Sequence, residues 1–442
     1  MSRSTGIAIG VLLLVMACSA QSVQPAAPAR DLSLEKAIEM ALSPRGNTTV
    51  QLAHESEQMA HSRYSDARAS LLPNLDGSVT EQNQIVNLRA LGVRSVPNSG
   101  VVLPEEVGPF YTFDARMHLN QNVLNLSTIR RWQAAQQDVH AAKAETDGVS
   151  QRIAATVAKI YAAALHADAD VEAAKANISF AEALRDLAAN RATVGEGTDL
   201  ELTRAKLSVA RDQQRLLAAQ TEETRAYLDL INVLNLNWNT ALHLTGTLGS
   251  QSAETLTAEE AVAVALKSRA DFKVQEDRTE SAKLNYSAAK YERMPSIVGY
   301  ADYGVISGVQ THTIGAALRV PIFDGGRLDS DRAQTSSLIR QEQIRQTQLR
   351  NQVELEIRQS LATVTSMEQQ VQVAAQAVAL AEDELGRARR RYEAGVTNSL
   401  EVNDAQTQLE AARKDRVAAL FNYTSARIDL AQAMGTVKQI RF

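Results

Sequence analysis

The side chains that could support catalysis or metal binding are sparse in this sequence. The chain has seven histidines and one cysteine in 442 residues. The histidines form no HxxxH or HExxH pair, and His54 and His61, seven positions apart, are more typical of exposed helix positions than of a metal site. The pair Gly195 and Gly197 lacks the third glycine of a dinucleotide-binding loop. The sequence therefore predicts no enzymatic reaction, no cofactor and no metal site.

The overall charge and composition argue against a nucleic-acid-binding protein. The net charge is −5, and aromatic residues make up 4% of the chain. A nucleic-acid-binding surface needs clustered positive charge, which this balance does not supply. Alanine, glutamine, glutamate, leucine and arginine dominate, as they do in long helices and coiled coils. Long helices are therefore the elements expected to position any functional residue.

Residues 1–20 have the organisation of an export signal. A positively charged start precedes a short apolar core, which is followed by small residues. The core is shorter than the roughly 20 apolar residues of a membrane-spanning helix. Cleavage after Ala20 and lipidation of Cys18, the only cysteine, both fit this segment, and the sequence leaves the two open. Residues 21–30, rich in proline and alanine, are expected to form a flexible tether.

One sequence pattern occurs twice, about 200 residues apart. Four residues of the first copy recur in register in the second: Arg191, Gly195, Leu200 and Glu201 match Arg391, Gly395, Leu400 and Glu401. A unit of this length is too long for a solenoid and indicates a tandem duplication. We assign the first structural repeat to residues 31–250, the second to residues 251–436, and a short tail to residues 437–442.

Each repeat is expected to contain a long antiparallel helical hairpin. From Val353 to Tyr392, apolar residues recur at alternating steps of four and three, which is the heptad pattern of packed helices. A glycine interrupts the helical pattern where each hairpin must turn back. The predicted helices cover about 128–193, 199–236, 328–393 and 399–434. On this pattern alone, a purely structural coiled coil is an equally good interpretation.

Two shorter segments before each hairpin have the period of β-strands. The predicted strands cover about 75–86, 110–121, 296–305 and 311–321, and the second and fourth alternate between apolar and polar side chains. Such strands suit an outer-membrane barrel, in which Tyr111, Phe113, Tyr300 and Tyr303 would form the aromatic girdles. A small soluble sheet on a helical stalk has the same periodicity and stays open as the alternative.

Four strands cannot close a barrel in one chain. An open sheet edge is not tolerated in lipid, because its backbone groups lack hydrogen-bond partners. A membrane barrel would therefore have to be shared between subunits, and three copies would supply 12 strands.

The segment Leu318-Arg-Val-Pro-Ile-Phe-Asp-Gly-Gly-Arg327 resembles the signature of the outer-membrane efflux (TolC) family. The tip Arg391-Tyr-Glu-Ala-Gly395 and the closing helix up to Gly435 are similar to that family as well. This resemblance implies a mainly α fold with a membrane β-barrel portion, assembled as a homotrimer. A 12-stranded barrel in contact with outer-membrane lipid would continue into an α-helical tunnel built from the tandem-duplicated hairpins.

The resemblance also implies the partners and the place of the protein. It would be a passive exit duct in the outer membrane of a Gram-negative-type bacterium, extending into the periplasm. A periplasmic adaptor would join it to an inner-membrane pump of the RND, ABC or MFS class, which supplies the energy. No nucleic acid is implied. The sequence does not indicate which substrate is transported or which class of pump the protein serves.

The resemblance implies functional or structural roles for three sets of residues. Adaptor docking would fall at the helix tips, at Val194, Gly195, Gly197, Ala394, Gly395 and Val396. A periplasmic gate would be formed by Glu382, Asp383 and Glu384 facing arginines that include Arg387 and Arg391. A tight strand-to-helix turn would be formed by Pro321, Asp324, Gly325, Gly326 and Arg327, where glycine permits the required backbone.

For two of these sets a simpler interpretation stays open. The tip residues are also explained as ordinary helix-turn residues, and the charged run as a solvated helix face. For the whole chain, the competing interpretation is a periplasmic coiled-coil scaffold anchored by Cys18. The strand alternation and the segment 318–327 argue against that scaffold.

Overall fold

The structure is a computed structural model that describes residues 30–93, 103–194, 197–249, 256–397 and 399–440. The predicted export signal, Cys18, nearly all of the predicted tether, and Gly195 lie outside these ranges. In the described part of the chain, eight α-helices and six β-strands are present. None of those helices combines the length and the apolar character needed to cross a membrane.

The first repeat contains helices α1 (Leu34–Leu42), α2 (Thr48–Ala69), α3 (Leu126–Thr193) and α4 (Asp199–Val233). The second contains α5 (Ala258–Ser268), α6 (Ala270–Tyr291), α7 (Arg327–Glu393) and α8 (Ser399–Met434). The strands are β1 (Arg30–Leu32), β2 (Asn74–Asn87), β3 (Glu106–Leu124), β4 (Leu242–Leu244), β5 (Ser296–Ile306) and β6 (Val309–Arg319).

Side-chain caps define where several helices begin. The Asn125 side chain accepts a hydrogen bond from the Thr128 N–H at 3.1 Å, so α3 begins at Leu126, two residues before the expected start. Thr198 and Glu201 form a reciprocal capping box at the start of α4. These contacts satisfy N–H groups that have no partner inside the helix.

Residues in the left-handed conformation follow the ends of α4 and α8. The expected end of α4 at residue 236 is three residues too late, because Asn235 adopts a φ of 52° and the Leu236 N–H bonds to the Ile231 carbonyl at 3.0 Å. Asparagine tolerates this conformation better than most residues. Gly435, with a φ of 74°, ends α8 in the same way, and the Thr436 N–H bonds to the Ala431 carbonyl at 2.8 Å.

The four long strands form one antiparallel sheet in the order β2-β3-β5-β6. β6 ends at Arg319, so the expected strand up to residue 321 was too long. Pro321 has no N–H to donate to a neighbouring strand, which explains the earlier end. The two hairpins therefore join through the β3–β5 pair, and β2 and β6 are the outer strands of this sheet.

The placement of Tyr300 in the aromatic girdle was wrong. Tyr300 pairs with Asn120 and Gly315, whereas Tyr303 pairs with Met117 and therefore lies on the opposite, apolar face. A Cβ atom on Gly315 would lie 2.5 Å from the Tyr300 ring, so the ring lies across this glycine on the polar face. Residues three apart in a strand point to opposite sides of the sheet, so Tyr300 and Tyr303 cannot share a face. The prediction used only their aromatic character and not their spacing.

Helix α3 connects the two repeats. It packs against α2 and α6 in the half nearer the sheet, and against α4 and α8 in the other half. Tyr161 of α3 is fully buried with Leu230 of α4 and Ile428 of α8. Its hydroxyl donates to the Leu32 carbonyl at 2.9 Å and accepts from the Gly246 N–H at 3.1 Å. The repeats thus share a core instead of forming separate domains.

The C-terminal segment is part of this core. Strand β1 pairs in parallel with β4, which brings the two ends of the first repeat together. After α8, a 3-10 helix spans Val437–Gln439, and Val437 is fully buried against the same cluster. The predicted short tail is therefore packed against the protein at its first residues.

Candidate docking tips, entrance and polar sheet face

The tip between α7 and α8 is a tight and exposed turn. The Val396 N–H donates to the Arg391 carbonyl at 2.9 Å and the Gly395 N–H donates to the Tyr392 carbonyl at 3.0 Å, which is the Schellman pattern. This pattern places Gly395 in the left-handed region, at a φ of 70°. Val396 is 68% exposed, and Ala394 is also exposed. The tip therefore offers an apolar side chain on a backbone that another chain can approach closely.

The tip between α3 and α4 has the same apolar exposure. Val194 is 70% exposed. The Gly197 N–H donates to the Arg191 carbonyl at 3.0 Å, and a Cβ atom on Gly197 would lie only 3.0 Å from the Ala192 nitrogen. The turn thus has little room for a larger residue at position 197. Gly195 lies outside the described residues.

The two tips are joined inside one chain by Arg191 of α3 and Tyr392 of α7. Tyr392 is 1% exposed and packs with Leu184, Leu385 and Val402 in an apolar cluster. Arg191 and Arg391 occupy equivalent positions in the two repeats, so the sequence identified Arg191 as a repeated residue. The sequence did not indicate that Arg191 contacts the other hairpin.

The predicted gate residues are mostly paired within the chain. Glu382 of α7 accepts a hydrogen bond from Arg413 of α8 at 2.9 Å. Asp383 and Arg387, one turn apart in α7, form an ion pair at 2.6 Å. Arg391 binds Glu401 across the tip at 2.6 Å, and Glu384 is exposed to solvent. Of the predicted set, Asp383 and Arg387 therefore bind each other, whereas Glu382 and Arg391 bind residues outside it.

The strand-to-helix turn after β6 is organised by Asp324. Its carboxylate accepts hydrogen bonds from the Leu328 N–H at 2.8 Å and from the Gly326 N–H at 3.1 Å. The Leu328 N–H, and to a smaller extent the Gly326 N–H, lower the pKa of Asp324. Gly325 and Gly326 have φ values of 69° and 87°, as a turn of this tightness requires. The next residue, Arg327, binds Glu292 at 3.2 Å, which ties the turn to the end of α6.

The residues Ile322 and Phe323 lie between Pro321 and this turn. They are 96% and 91% exposed, and both are large and apolar. Exposed apolar groups that lie side by side usually contact another chain or lipid. The turn therefore adds an apolar patch at the junction of sheet and helix.

A polar network that the sequence analysis missed crosses three strands. The Ser78 Oγ of β2 lies 2.9 Å from His118 Nε2 of β3, and His118 Nδ1 lies 2.5 Å from Asp302 Oδ1 of β5. Beside it, Arg116 donates from Nε and Nη2 to Asp114 at 2.7 and 2.6 Å. All five side chains lie on the polar face of the sheet, and only the strand register brings them together.

A half-buried carboxyl group lies between α3 and α4. Asp168 accepts a hydrogen bond from the Tyr227 hydroxyl at 3.0 Å through Oδ2, while Oδ1 is buried and has no partner among the described residues. Burial raises the pKa of Asp168, and the Tyr227 hydroxyl only partly offsets this effect. Burial and the neighbouring Asp168 likewise raise the pKa of Glu223.

Long helical hairpins joined to an open four-stranded sheet are also the fold of solved outer membrane channels. The solved outer membrane channel CmeC of Campylobacter jejuni has this fold, with a TM-score of 0.75 and 16% sequence identity, over 98% of this chain and 94% of CmeC. The profile described as outer membrane efflux protein matches residues 44–236 and 261–436. The chain therefore belongs to the outer membrane efflux protein family, as the segment 318–327 predicted.

Two curated relatives come from different strains of Pseudomonas putida. The pyoverdine export outer membrane protein OpmQ is 23% identical over 313 residues, which covers 68% of this chain and 66% of OpmQ. The toluene efflux pump outer membrane protein TtgF is 25% identical over 347 residues, covering 75% of this chain and 70% of TtgF. The chain thus aligns with about two thirds of the length of these relatives.

Proposed function

We propose that three copies of the chain form a passive export duct through the outer membrane. The open sheet carries this proposal: within the described residues, β2 and β6 each have one unpaired edge. Unpaired backbone groups are not tolerated in lipid, so the edges of another copy must pair with them. Three copies of the four-stranded sheet give a closed barrel of 12 strands.

The two faces of the sheet support this assembly. The apolar face is solvent-exposed in the single chain, with exposures between 59% and 83% for Val79, Tyr111, Met117, Tyr303 and Ile314. These side chains suit contact with lipid. The opposite face carries the Ser78–His118–Asp302 network and the Asp114–Arg116 pair, which suit a water-filled lumen.

The helices at the two edges of the hairpin pair also have uncovered apolar side chains. In the half away from the sheet, the packing order is α4-α3-α8-α7, so α4 and α7 are the outer helices. Leu207 and Leu217 of α4 are 50% and 65% exposed, and Val373 and Leu380 of α7 are 64% and 71% exposed. Burial of these residues against the next copy would extend the shared barrel into a shared helical tunnel.

The exposed tips are the surfaces on which the duct would receive its partners. Val194 and Val396 are apolar, and Gly395 leaves the backbone accessible, which suits docking of the helical tips of a periplasmic adaptor. The adaptor would connect the duct to an inner-membrane pump of the RND, ABC or MFS class. The pump would supply the energy, because the sequence contains no nucleotide-binding motif.

The decisive experiment measures the mass and the single-channel conductance of the detergent-extracted protein. The expected result is a heat-sensitive species of three chains that produces discrete current steps in a planar bilayer. A protein that is extracted without detergent, runs as a single chain and does not conduct would overturn the proposal. That outcome would leave a periplasmic helical scaffold.

A further inference from the structure

The Ser78–His118–Asp302 network has the connectivity of a hydrolytic triad. A hydroxyl lies 2.9 Å from Nε2 of an imidazole, and a carboxylate lies 2.5 Å from Nδ1 of the same ring. In serine hydrolases, these contacts let the imidazole remove the hydroxyl proton while the carboxylate orients the ring. A triad of this kind is recognised by its geometry and not by its position in a sequence, and here its members are separated by 40 and 184 residues.

The strand register holds these three side chains in place. His118 and Asp302 are directly opposite in the β3–β5 pair, and Ser78 is opposite Arg116 in the β2–β3 pair. Strands on both sides restrain β3, so the contacts rest on a regular backbone and not on a loop. His118 and Asp302 remain 25% and 27% exposed, so a small molecule can reach them from the polar face.

Arg116 is not part of the triad. Its Nε and Nη2 bind Asp114 at 2.7 and 2.6 Å, and its Cγ lies beside Gly304 of β5, where an added Cβ atom would be 2.8 Å away. The reacting groups of the site are therefore those of Ser78, His118 and Asp302.

We propose that this site on the polar sheet face hydrolyses small carboxylic esters, an activity beyond the export function. Ser78 Oγ attacks the ester carbonyl carbon while His118 Nε2 takes the hydroxyl proton, and the carbonyl electrons move to its oxygen to form the oxyanion. The carbon–oxygen bond to the alcohol then breaks, and His118 returns the proton to the departing alkoxide. Water, deprotonated by His118, attacks the acyl-Ser78 carbonyl, which releases the carboxylic acid and restores the hydroxyl.

The surroundings of the site define the class of ester. Asp76 is opposite His118 on β2, and Asp114 and Asp302 lie on the neighbouring positions of the same face. These carboxylates stabilise the imidazolium that forms during attack and repel anionic substrates. The residues across the sheet are polar and the site opens from one side, so small esters that are uncharged or cationic are the expected substrates.

The test is hydrolysis of 4-nitrophenyl acetate by the full chain in detergent, together with labelling by a fluorophosphonate probe. The wild type is expected to hydrolyse the ester above the protein-free rate and to carry the probe on Ser78. The variants Ser78→Ala and His118→Gln should each lower the protein-dependent rate by roughly 100-fold, because nucleophile and base act as one unit. Thr80→Ala, two residues from Ser78 on the same strand face, is the matched control and should keep the full rate.

Two outcomes overturn the inference. In the first, Ser78→Ala hydrolyses the ester at the wild-type rate, and so does the control Thr80→Ala. In the second, the probe does not label Ser78 in protein that keeps the native heat stability. If His118→Gln does not assemble, Asp302→Asn replaces it, since it keeps the side-chain shape and should still lower the rate. Conductance is measured on the same samples, so a protein that conducts without hydrolysing esters would refute this activity and leave the export duct standing.

Discussion

The guanidinium carbon of Arg191 lies 4.7 Å from the centroid of the Tyr392 ring, and its Nη1 donates a hydrogen bond to the Tyr392 carbonyl at 3.1 Å. The contact joins the last turn of α3 to the last turn of α7, and therefore joins one repeat to the other. In the second repeat, the equivalent Arg391 binds Glu401 of its own hairpin at 2.6 Å. The duplicated arginine thus has two different structural roles.

Loss of the Arg191–Tyr392 contact is expected to open the periplasmic end of the duct. A cation–π contact and a hydrogen bond together contribute roughly 1–2 kcal/mol, which corresponds to a shift of about 5- to 30-fold between closed and open tips. Arg191→Ala should therefore raise the open probability in single-channel recordings. Arg389→Ala, which removes an ion pair with Glu393 inside α7, is the control. Equal conductance of the two variants would show that the contact does not hold the tips.

A bulky residue at Gly395 is expected to block adaptor docking without closing the channel. Space around the glycine is open, but its φ of 70° makes any larger residue strained by about 1–2 kcal/mol at a solvent-exposed tip. A photo-crosslinker at Val396 should produce an adduct with the adaptor in cells, and Gly395→Trp in the same chain should abolish it. Conductance of the purified Gly395→Trp protein should equal that of the wild type.

The shaft of α7 provides the control position for this crosslinking. Val373 is 64% exposed and lies far along the helix from the tip, on a surface proposed to face another copy. A crosslinker there should join two copies of the chain and leave the adaptor free. Adaptor adducts from Val373 that persist in Gly395→Trp would contradict docking at the tips.

The half-buried Asp168 is expected to reduce stability at neutral pH. Burial raises the pKa of Asp168 above its ordinary value of 3.8, so the folded protein binds the proton more tightly than the unfolded chain. The free energy of unfolding therefore falls as the pH rises from the ordinary pKa of the carboxyl through its pKa in the folded protein. Asp168→Asn keeps an acceptor for the Tyr227 hydroxyl and removes the buried charge. It should stabilise the protein by about 1 kcal/mol at neutral pH.

Thermal unfolding at several pH values checks this prediction. The gain in melting temperature from Asp168→Asn should narrow as the pH falls and should be smallest below 3.8, where the wild-type carboxyl is protonated in both the folded and the unfolded state. Asp147→Asn, at an exposed position of the same helix, should have little effect at any pH. A gain that is constant with pH would assign the stabilisation to packing and not to the charge.

Local chemistry made the long elements predictable from the sequence. Asn125 and Thr198 cap α3 and α4, and Gly395 ends α7, so the sequence contains direct signals for these boundaries. The segment 318–327 likewise indicated the turn at Asp324, and the structure places its carboxylate on the N–H groups of Gly326 and Leu328, at the start of α7.

Contacts between distant residues were not predictable in the same way. Ser78, His118 and Asp302 meet only because the strands pair in one register, and a shift of one residue would turn His118 to the other face. Tyr300 was misplaced for a related reason, since its side is set by counting along the strand. Arg191 and Tyr392 are 201 positions apart in the sequence, and they meet only because α3 and α7 have the lengths observed.

The two faces of β6 are expected to respond in opposite ways to a positive charge. Ile314 is 83% exposed on the apolar face, while Thr313 lies opposite Asp302 on the polar face. A lysine facing lipid costs roughly 2–4 kcal/mol at the middle of the membrane, whereas a lysine facing a water-filled lumen costs little. Ile314→Lys should therefore lower the yield of heat-sensitive trimer in the outer membrane. Thr313→Lys should assemble normally and change ion selectivity, because the new ammonium group lies beside Asp302. Equal assembly of both variants would mean that Ile314 does not face lipid, and the shared barrel would lose its main support.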